Sequence, residues 1–376
     1  MISNRLKILI FIMGLILIFG ALPTSAQGGE FELTLLHTND VHGRVDEFDS
    51  GGNSCDEEEK AANECFGGAA RLKTMVDQVR AEGDPVLLLD AGDQFQGTLF
   101  YTQYKGGEAQ EMMNLLGYQA MAVGNHEFDD GPGNLGSFIN GATFSVLSAN
   151  IDASAEPELA GKVQPSTIVE VSGEKIGVVG YTTEDTPILS SPGPNVKFNN
   201  IETSVQAAVD NLRRQGVDKI IAVSHAGFAR DRIVAATVTG LDIIVAGHTN
   251  TYLSNTDPEA EGPYPVVVNA SDSNPVLLVS DFTWAKYLGR LDVTFDPNGV
   301  VTSHRGNPIL LDSSVAQDAT VQARVEALAG PLNELQAKVI GSAAVDLDGD
   351  RNTCRFAECT MGNLIADAVL WKTANE

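Results

Sequence analysis

Five short segments of the sequence combine aspartate, asparagine and histidine in patterns that could bind metal ions. Their side chains offer carboxylate oxygens, amide oxygens and imidazole nitrogens, without a thiolate. The candidate ligands are Asp40, His42, Asp93, Asn125, His225, His248 and Asn250. This donor set suits Zn, Mn, Fe or Co and disfavours Cu(I) or iron–sulfur clusters. Because four of the six histidines of the chain lie in these segments, a chance grouping is improbable.

The number of candidate ligands bears on the number of ions. One aspartate and two histidines could form a single site, but the full set is too large for one tetrahedral ion. It suits two ions that share one carboxylate. Two ions about 3.5–4 Å apart bind both the attacking and the leaving oxygen of an in-line displacement, and they lower the pKa of bound water. The segments therefore predict a two-metal hydrolytic site.

Each of these segments follows a run of apolar, β-prone residues. The runs are residues 31–36, 86–89, 120–123, 220–223 and 243–246. Continuous Val, Ile and Leu are typical of strands buried on both faces, and residues 68–81 and 201–215 carry apolar side chains at helical spacing. We therefore predict a layered α/β/α domain that binds its ligand at the carboxyl ends of the strands, where all five segments fall.

Two histidines lie outside the metal segments. His37 falls inside a strand run, which predicts a structural role or a role behind the metal ligands. His304 lies in a polar stretch near Gly306, where we expect a surface turn.

The C-terminal part of the sequence has a different pattern. Residues 318–340 predict an amphipathic helix, which Gly330 and Pro331 are expected to kink or break. A further helical pattern begins at Asn363. The last 30 or so residues of the chain are typical of the opening of a second domain.

Charge and targeting signals restrict the possible partners. Fifty acidic and 24 basic residues give a net charge of -26, which argues against nucleic acids or anionic membranes as partners. It would also repel a phosphate substrate unless bound divalent cations reverse the local sign. The sequence makes no prediction of oligomeric state.

Residues 1–26 have the pattern of a signal peptide, with Arg5 and Lys7 before a short apolar run. The run is shorter than the roughly 20 residues of a membrane-spanning helix, so we expect no membrane span in the mature protein. The predicted location is secreted, periplasmic or at the cell surface. Four cysteines allow three connectivities. Short loops favour the local pairs Cys55–Cys65 and Cys354–Cys359, which an exported protein can form.

The residues of the five segments resemble the calcineurin-like metallophosphatase signature of the 5′-nucleotidases. The matching motifs are Thr-Asn-Asp-Val-His (38–42), Gly-Asp-Gln-Phe-Gln-Gly-Thr (92–98), Gly-Asn-His-Glu-Phe-Asp (124–129), Ser-His-Ala-Gly-Phe (224–228) and Gly-His-Thr-Asn-Thr (247–251). Residues 181–187, 286–289 and 354–365 resemble the ecto-5′-nucleotidase branch, which includes UDP-sugar hydrolases. The resemblance covers nearly all of the mature chain.

The resemblance implies a four-layer α/β/β/α sandwich and a division into domains. Residues 27–317 would form the catalytic domain with its two metals, and residues 318–341 a linker helix. Residues 342–376 would begin the C-terminal substrate-binding domain.

The resemblance also implies roles for individual residues. Two divalent ions, Zn, Mn or Co, would share Asp93. Asp40, His42 and Asn250 would hold the first ion, and Asn125, His225 and His248 the second. His126 and Asp129 would form a catalytic dyad that stabilises charge on the phosphoryl group, although Asp129 could instead cap a helix. Asn125 and Arg355 are the predicted substrate contacts, Arg355 because a guanidinium suits phosphate or ribose oxygens.

The implied function is that of an exported 5′-nucleotidase, which uses a metal-activated hydroxide to remove phosphate from nucleoside monophosphates. UDP-sugars and dinucleotides are further candidate substrates. A 2′,3′-cyclic-nucleotide 2′-phosphodiesterase has a similar metal core and remains an alternative, but Asp129 and the Cys354–Cys359 segment favour the nucleotidase. A non-catalytic surface binding protein on this scaffold would be expected to have lost ligands, and this sequence keeps all of them.

Overall fold

The computed structural model describes residues 29–374. The predicted signal peptide, residues 1–26, lies outside the described residues. The strands are β1 (Phe31–Thr38), β2 (Val86–Asp90), β3 (Ala120–Ala122), β4 (Ser145–Leu147), β5 (Ile151–Asp152), β6 (Ser166–Val171), β7 (Glu174–Thr182), β8 (Lys197–Phe198), β9 (Lys219–His225), β10 (Ile243–Ala246), β11 (Val266–Asn269), β12 (Pro275–Val279), β13 (Tyr287–Phe295), β14 (Val301–Gly306) and β15 (Ile309–Leu310). The helices are α1 (Glu57–Ala62), α2 (Ala69–Arg80), α3 (Leu99–Tyr104), α4 (Gly107–Leu116), α5 (Gly131–Gly141), α6 (Thr186–Leu189), α7 (Ile201–Arg214), α8 (Phe228–Thr237), α9 (Ala319–Gln336), α10 (Arg351–Cys354) and α11 (Thr360–Ala374).

Two large sheets form the centre of the molecule. The first has the strand order β14-β13-β1-β2-β3-β4, with β15 paired to β13, and the second has the order β11-β12-β10-β9-β7-β6. Strands β1 to β4 run parallel, and so do β7, β9, β10 and β12. Strands β5 and β8 form a small antiparallel pair.

The two sheets pack face to face and carry helices on their outer faces. Leu35 and Leu87 of the first sheet belong to one buried cluster with Val178 and Ile221 of the second. The outer face of the first sheet packs on α2, α4, α5 and α9, and that of the second sheet packs on α7 and α8. The fold is therefore the four-layer α/β/β/α sandwich. The α/β/α layering inferred from the strand pattern alone omits one sheet, because the five runs divide between two sheets.

Helix α9 belongs to the core under the first sheet. Asp318 caps its first turn by accepting hydrogen bonds from the backbone N–H groups of Thr320 and Val321. Val325 and Leu328 are buried against the helices of the first sheet. The helix continues through Pro331 to Gln336, so of the expected kink or break, the break does not occur.

The C-terminal segment contains the second disulfide. Cys55 is bonded to Cys65 and Cys354 to Cys359, the two local pairs. No residue of α11, which the structure describes over its whole length, is buried. His304 is exposed as expected, but it lies within β14 and not in a turn. Over residues 29–374, no helix is long and apolar enough to cross a bilayer.

Candidate active site

Five strand ends from both sheets meet at one place. Asp40, Asp93 and Asn125 follow β1, β2 and β3 of the first sheet. His225 is the last residue of β9, and His248 follows β10 of the second sheet. Oδ1 of Asp40 lies 4.0 Å from Nε2 of His225, so the two sheets bring their loops into contact.

The backbone of these loops is strained. Asp40, His42, Asp93, His248 and Asn250 all have φ between 51° and 74°, the left-handed region. Such a conformation costs a non-glycine residue about 1–3 kcal/mol and is concentrated at functional sites. Five of the seven candidate ligands therefore adopt a conformation that their surroundings must enforce.

The candidate ligands form two groups that share one carboxylate. Asp93, His225 and His248 make up one group, and Asp40, His42 and Asp93 the other. The ligand atoms of each group all lie within 4.8 Å of one another. The structure thus brings together five of the seven predicted ligands, with Asp93 common to both groups.

The two asparagines of the predicted set also have side chains compatible with metal binding. Among the described residues, the buried oxygen atoms Oδ1 of Asn125 and Oδ1 of Asn250 have no hydrogen-bond partner. An unpaired buried oxygen costs about 1–3 kcal/mol, which a bound cation would offset.

His225 faces the carboxylate that the two groups share. Its Nδ1 lies 2.7 Å from the carbonyl oxygen of Ala91, which can only accept, so Nδ1 carries the proton. Its Nε2 lies 2.9 Å from Oδ2 of Asp93, and the two atoms need a positive charge between them. A proton on Nε2 can supply this charge, and so can a divalent ion.

The pKa shifts in the cluster also favour a positive charge at this place. Burial lowers the pKa of His225, but the carboxylates of Asp93 and Asp40 outweigh it and raise this pKa to about 10. Burial raises the pKa of Asp40. Burial and the neighbouring His225 lower the pKa of His248 to about 4. Two buried carboxylates therefore attract positive charge, while His248 is held neutral, the form in which histidine binds metals.

Glu127 fixes the loops that carry the ligands, and sequence reasoning missed it. Its buried carboxylate accepts hydrogen bonds from the backbone N–H groups of Asp93 (3.0 Å), Gln94 (2.8 Å), Phe95 (3.2 Å) and Gly124 (2.6 Å). Burial raises the pKa of Glu127 to about 7, whereas the backbone donors favour its charged form. The only sequence signal was its place beside His126 in the 124–129 motif.

His126 and Asp129 form the expected pair. His126 begins the short 3-10 helix His126–Phe128 and Asp129 follows it, which brings Nδ1 of His126 to 2.6 Å from Oδ2 of Asp129. Burial lowers the pKa of His126, but the carboxylates of Asp129 and Asp93 raise it to about 9. The ring lies edge-on to His42, with centroids 5.3 Å apart, so an imidazolium stands beside the cluster.

Both carboxylate oxygens of Asp129 bind side chains. Oδ2 contacts His126, and Oδ1 accepts a hydrogen bond of 2.7 Å from Oγ of Ser190. This arrangement argues against a helix-capping role for Asp129, since a cap would bind backbone N–H groups. Ser190, 61 residues away in sequence, was not predicted.

Arg355 is not joined to this cluster. It is exposed on the loop that the Cys354–Cys359 disulfide closes. No hydrogen bond or ion pair within residues 29–374 connects its guanidinium to the candidate ligands.

His37, three residues before Asp40, is structural. It is fully buried in β1, and its Nε2 lies 2.7 Å from the hydroxyl of Tyr264. Burial lowers its pKa to about 3, so it is neutral.

Comparison with known proteins assigns this site to a family. The family model of the calcineurin-like phosphoesterases matches residues 33–252, a range that includes every candidate ligand. The chain belongs to this family. Membership of this family implies divalent metal ions. The residues that could hold them are the two groups that share Asp93.

Several similar proteins are 5′-nucleotidases. The chain is 44% identical to a mouse 5′-nucleotidase over 356 residues and 46% identical to one from Diplobatis ommata over 353 residues. These alignments cover 93% and 92% of the chain but 61% and 60% of the relatives. The chain thus spans about three fifths of the length of these curated relatives.

Solved structures show the same likeness. A 5′-nucleotidase precursor from Thermus thermophilus matches with a TM-score of 0.80 and 42% identity, over 92% of this chain and 68% of the other. The NAD nucleotidase of Haemophilus influenzae matches with a TM-score of 0.74 and 25% identity, over 85% and 63% of the two chains.

Proposed function

We propose that this calcineurin-like phosphoesterase is a 5′-nucleotidase, a metal-dependent phosphohydrolase that cleaves nucleoside 5′-monophosphates. The observation that carries the proposal is the shared position of Asp93 between two groups of candidate ligands. The names of the relatives that are 42–46% identical support the nucleotide substrate.

The candidate ligands suit two divalent ions, Zn, Mn or Co. Asp40, His42 and Asn250 would hold one ion, and Asn125, His225 and His248 the other, with Asp93 between them. The ions supply Lewis acidity and a nucleophile at neutral pH. The structure supports this with the unpartnered buried Oδ1 atoms of the two asparagines and with Nε2 of His225, which faces Oδ2 of Asp93.

The protein's own groups would orient the substrate and stabilise charge. Nδ1 of His126 donates its proton to Asp129, which leaves the Nε2–H of the imidazolium free to donate to a phosphoryl oxygen. With Oδ1 of Asn125 directed to an ion, its Nδ2 group can donate to the same phosphoryl group. Both contacts favour the charge that develops on the phosphoryl oxygens as the leaving ribose oxygen departs.

The finer parts of the proposal concern regions outside the metal cluster. We propose export through residues 1–26, with residues 27–317 as the catalytic domain, 318–341 as a linker helix and 342–376 as part of a substrate-binding domain. Arg355 would contact the nucleotide from that domain. UDP-sugars are proposed as further substrates, and the H. influenzae neighbour is a NAD nucleotidase, which favours including a dinucleotide in the assay.

The proposal is tested by comparing turnover of AMP, 2′,3′-cyclic AMP, UDP-glucose and NAD by the metal-loaded chain. We expect phosphate release from AMP with the highest kcat/KM. A higher kcat/KM for 2′,3′-cyclic AMP would contradict the proposal in favour of the cyclic phosphodiesterase. Two bound metals with no turnover of any of the four compounds would support the non-catalytic binding protein.

A further inference from the structure

Ser190 lies at the end of a segment that leads from the second sheet to the first. The segment begins after β7, where the backbone N–H of Thr183 donates to the carbonyl of His225 (2.9 Å). It continues through α6 and ends at Ser190, whose backbone N–H donates to the carbonyl of Thr186 (2.9 Å). The segment is therefore anchored at one end on a candidate metal ligand and has a fixed turn at the other.

The hydroxyl of Ser190 completes the hydrogen bonding of Asp129. Asp129 belongs to the loop after β3 in the first sheet, and its Oδ1 accepts from Oγ of Ser190 at 2.7 Å while Oδ2 binds His126. Rotation about the χ2 torsion of Asp129 moves both oxygens, so the second hydrogen bond restricts this rotation further than the first one alone. Ser190 thus sets the plane in which the carboxylate meets the imidazole.

We propose that Ser190 is a positioning residue for the dyad: it acts through Asp129 to hold the ring of His126 in the orientation that reaches the substrate phosphoryl group. This inference rests on the proposed phosphohydrolase function. It assigns the segment 183–190 a role in joining the two sheets at the site, since the dyad comes from the first sheet and Ser190 from the second.

The surroundings of Ser190 separate this role from a purely structural one. The side chain is half-buried, and the neighbouring Ile188 is 85% exposed, so the segment contributes little to the apolar core here. Removing one hydroxyl from such a position should leave the free energy of unfolding nearly unchanged. An effect on turnover would then report on the orientation of the dyad.

The test uses Ser190→Ala and Ser190→Thr, with Ser191→Ala as the matched control at the adjacent exposed serine. Steady-state kinetics on p-nitrophenyl phosphate, metal content and melting temperature are measured for each variant. We expect Ser190→Ala to lower kcat about tenfold, because a carboxylate that is free to turn lets the imidazole leave the orientation that reaches the phosphoryl group. KM, metal content and melting temperature should stay close to the values of the wild type, as should all properties of Ser191→Ala. Ser190→Thr keeps the hydroxyl and should recover most of the turnover.

A double-mutant cycle decides whether the effect passes through the dyad. In a His126→Ala background, Ser190→Ala should lower kcat by less than about twofold, because the ring it positions is gone. An unchanged kcat in Ser190→Ala, or a tenfold loss that persists in the His126→Ala background, would overturn the positioning role while leaving the phosphohydrolase function intact. An inactive, metal-loaded wild type would instead overturn both.

Discussion

At the level of single residues, the site depends on residues that are not themselves candidate metal ligands. Glu127 binds four backbone N–H groups from two loops, the loop after β2 and the loop after β3. The backbone N–H of His126 in turn donates to Oδ1 of Asp93 at 2.9 Å. Both metal groups depend on the position of Asp93. This position is therefore set by the loop after β3 as much as by the loop after β2, to which Asp93 belongs.

Replacing Glu127 tests this arrangement. In Glu127→Gln one oxygen becomes an NH2 group, which would face backbone donors and cannot accept from them. We expect metal affinity to fall about 10–100-fold, the usual effect of changing a group that orients a ligand. Titration of the metal-free protein with Zn²⁺ measures it, with Glu170→Gln on the exposed face of β6 as control. Equal affinities in the two variants would contradict the role of Glu127.

His126 and Asp93 are expected to respond differently to substitution. His126→Ala removes a transition-state donor, which typically costs about 10²–10³ in rate, but it should keep both metals. Asp93→Ala removes the shared carboxylate and should lose metal. Metal analysis and kcat on p-nitrophenyl phosphate distinguish the two variants. Normal turnover of His126→Ala at full metal occupancy would refute the assignment of the dyad.

At the level of elements, the strand ends must approach one another closely. Gly124, between β3 and Asn125, is an example: a Cβ atom there would overlap Oδ1 of Asp93 and lie 2.7 Å from Oε2 of Glu127. The loops after β2 and β3 can approach each other this closely only if the residue at this position is glycine.

Gly124→Ala should therefore disturb both stability and metal binding. We expect a loss of about 1–3 kcal/mol in the free energy of unfolding, typical of overpacking, together with reduced metal content. Gly133→Ala in α5 is the control, because a Cβ there meets only Cγ of Glu158 at 3.8 Å. Urea denaturation and metal analysis check both variants. A Gly124→Ala protein as stable and as metal-rich as Gly133→Ala would show that the loops have more room than the structure indicates.

The same elements show how far sequence reasoning reaches. The five strands were predictable because each apolar run is local and ends in a polar segment, and residues 68–81 and 201–215 form α2 and α7. The division into two sheets was not predictable from the runs. Leu35 and Leu36 are both fully buried, but Leu35 packs against the second sheet and Leu36 against the helices. A strand that is buried on both faces can be covered by helices or by another sheet, and its sequence does not distinguish the two. Only the family resemblance implied the second sheet.

The roles of Glu127 and Ser190 were not predicted because their contacts are distant in sequence. Glu127 meets Asp93 across 34 residues and Ser190 meets Asp129 across 61, and no local pattern records such pairs. Helix α9 passes through Pro331 because Val325, Leu328 and Leu332 are buried on either side of it, so tertiary packing outweighs the intrinsic cost of proline.

At the scale of the whole molecule, a net charge of -26 surrounds a site for an anionic substrate. Divalent ions at the Asp93 cluster would make this region positive within an acidic surface, and long-range repulsion of nucleotides should fall with salt. We therefore expect KM for AMP to decrease as NaCl is raised from about 10 to 150 mM, while kcat changes little. A KM that rises over this range would indicate that the substrate approaches through a basic surface instead.

Export can be tested on the whole chain as well. The expected mature protein begins at Gln27 and carries the Cys55–Cys65 and Cys354–Cys359 bonds. Intact mass with and without reduction, followed by peptide mapping, measures both features. Four free thiols in protein from the secreted fraction would contradict this account of its location.

The central claim is that the strand-end cluster holds two divalent ions that make the chain a phosphohydrolase. It is tested most directly by following phosphate release from AMP while metal-free protein is titrated with Zn²⁺ or Mn²⁺. We predict no release without metal and a rise that saturates at two equivalents per chain. Turnover that persists after metal removal, or that saturates at one equivalent, would contradict the two-metal account.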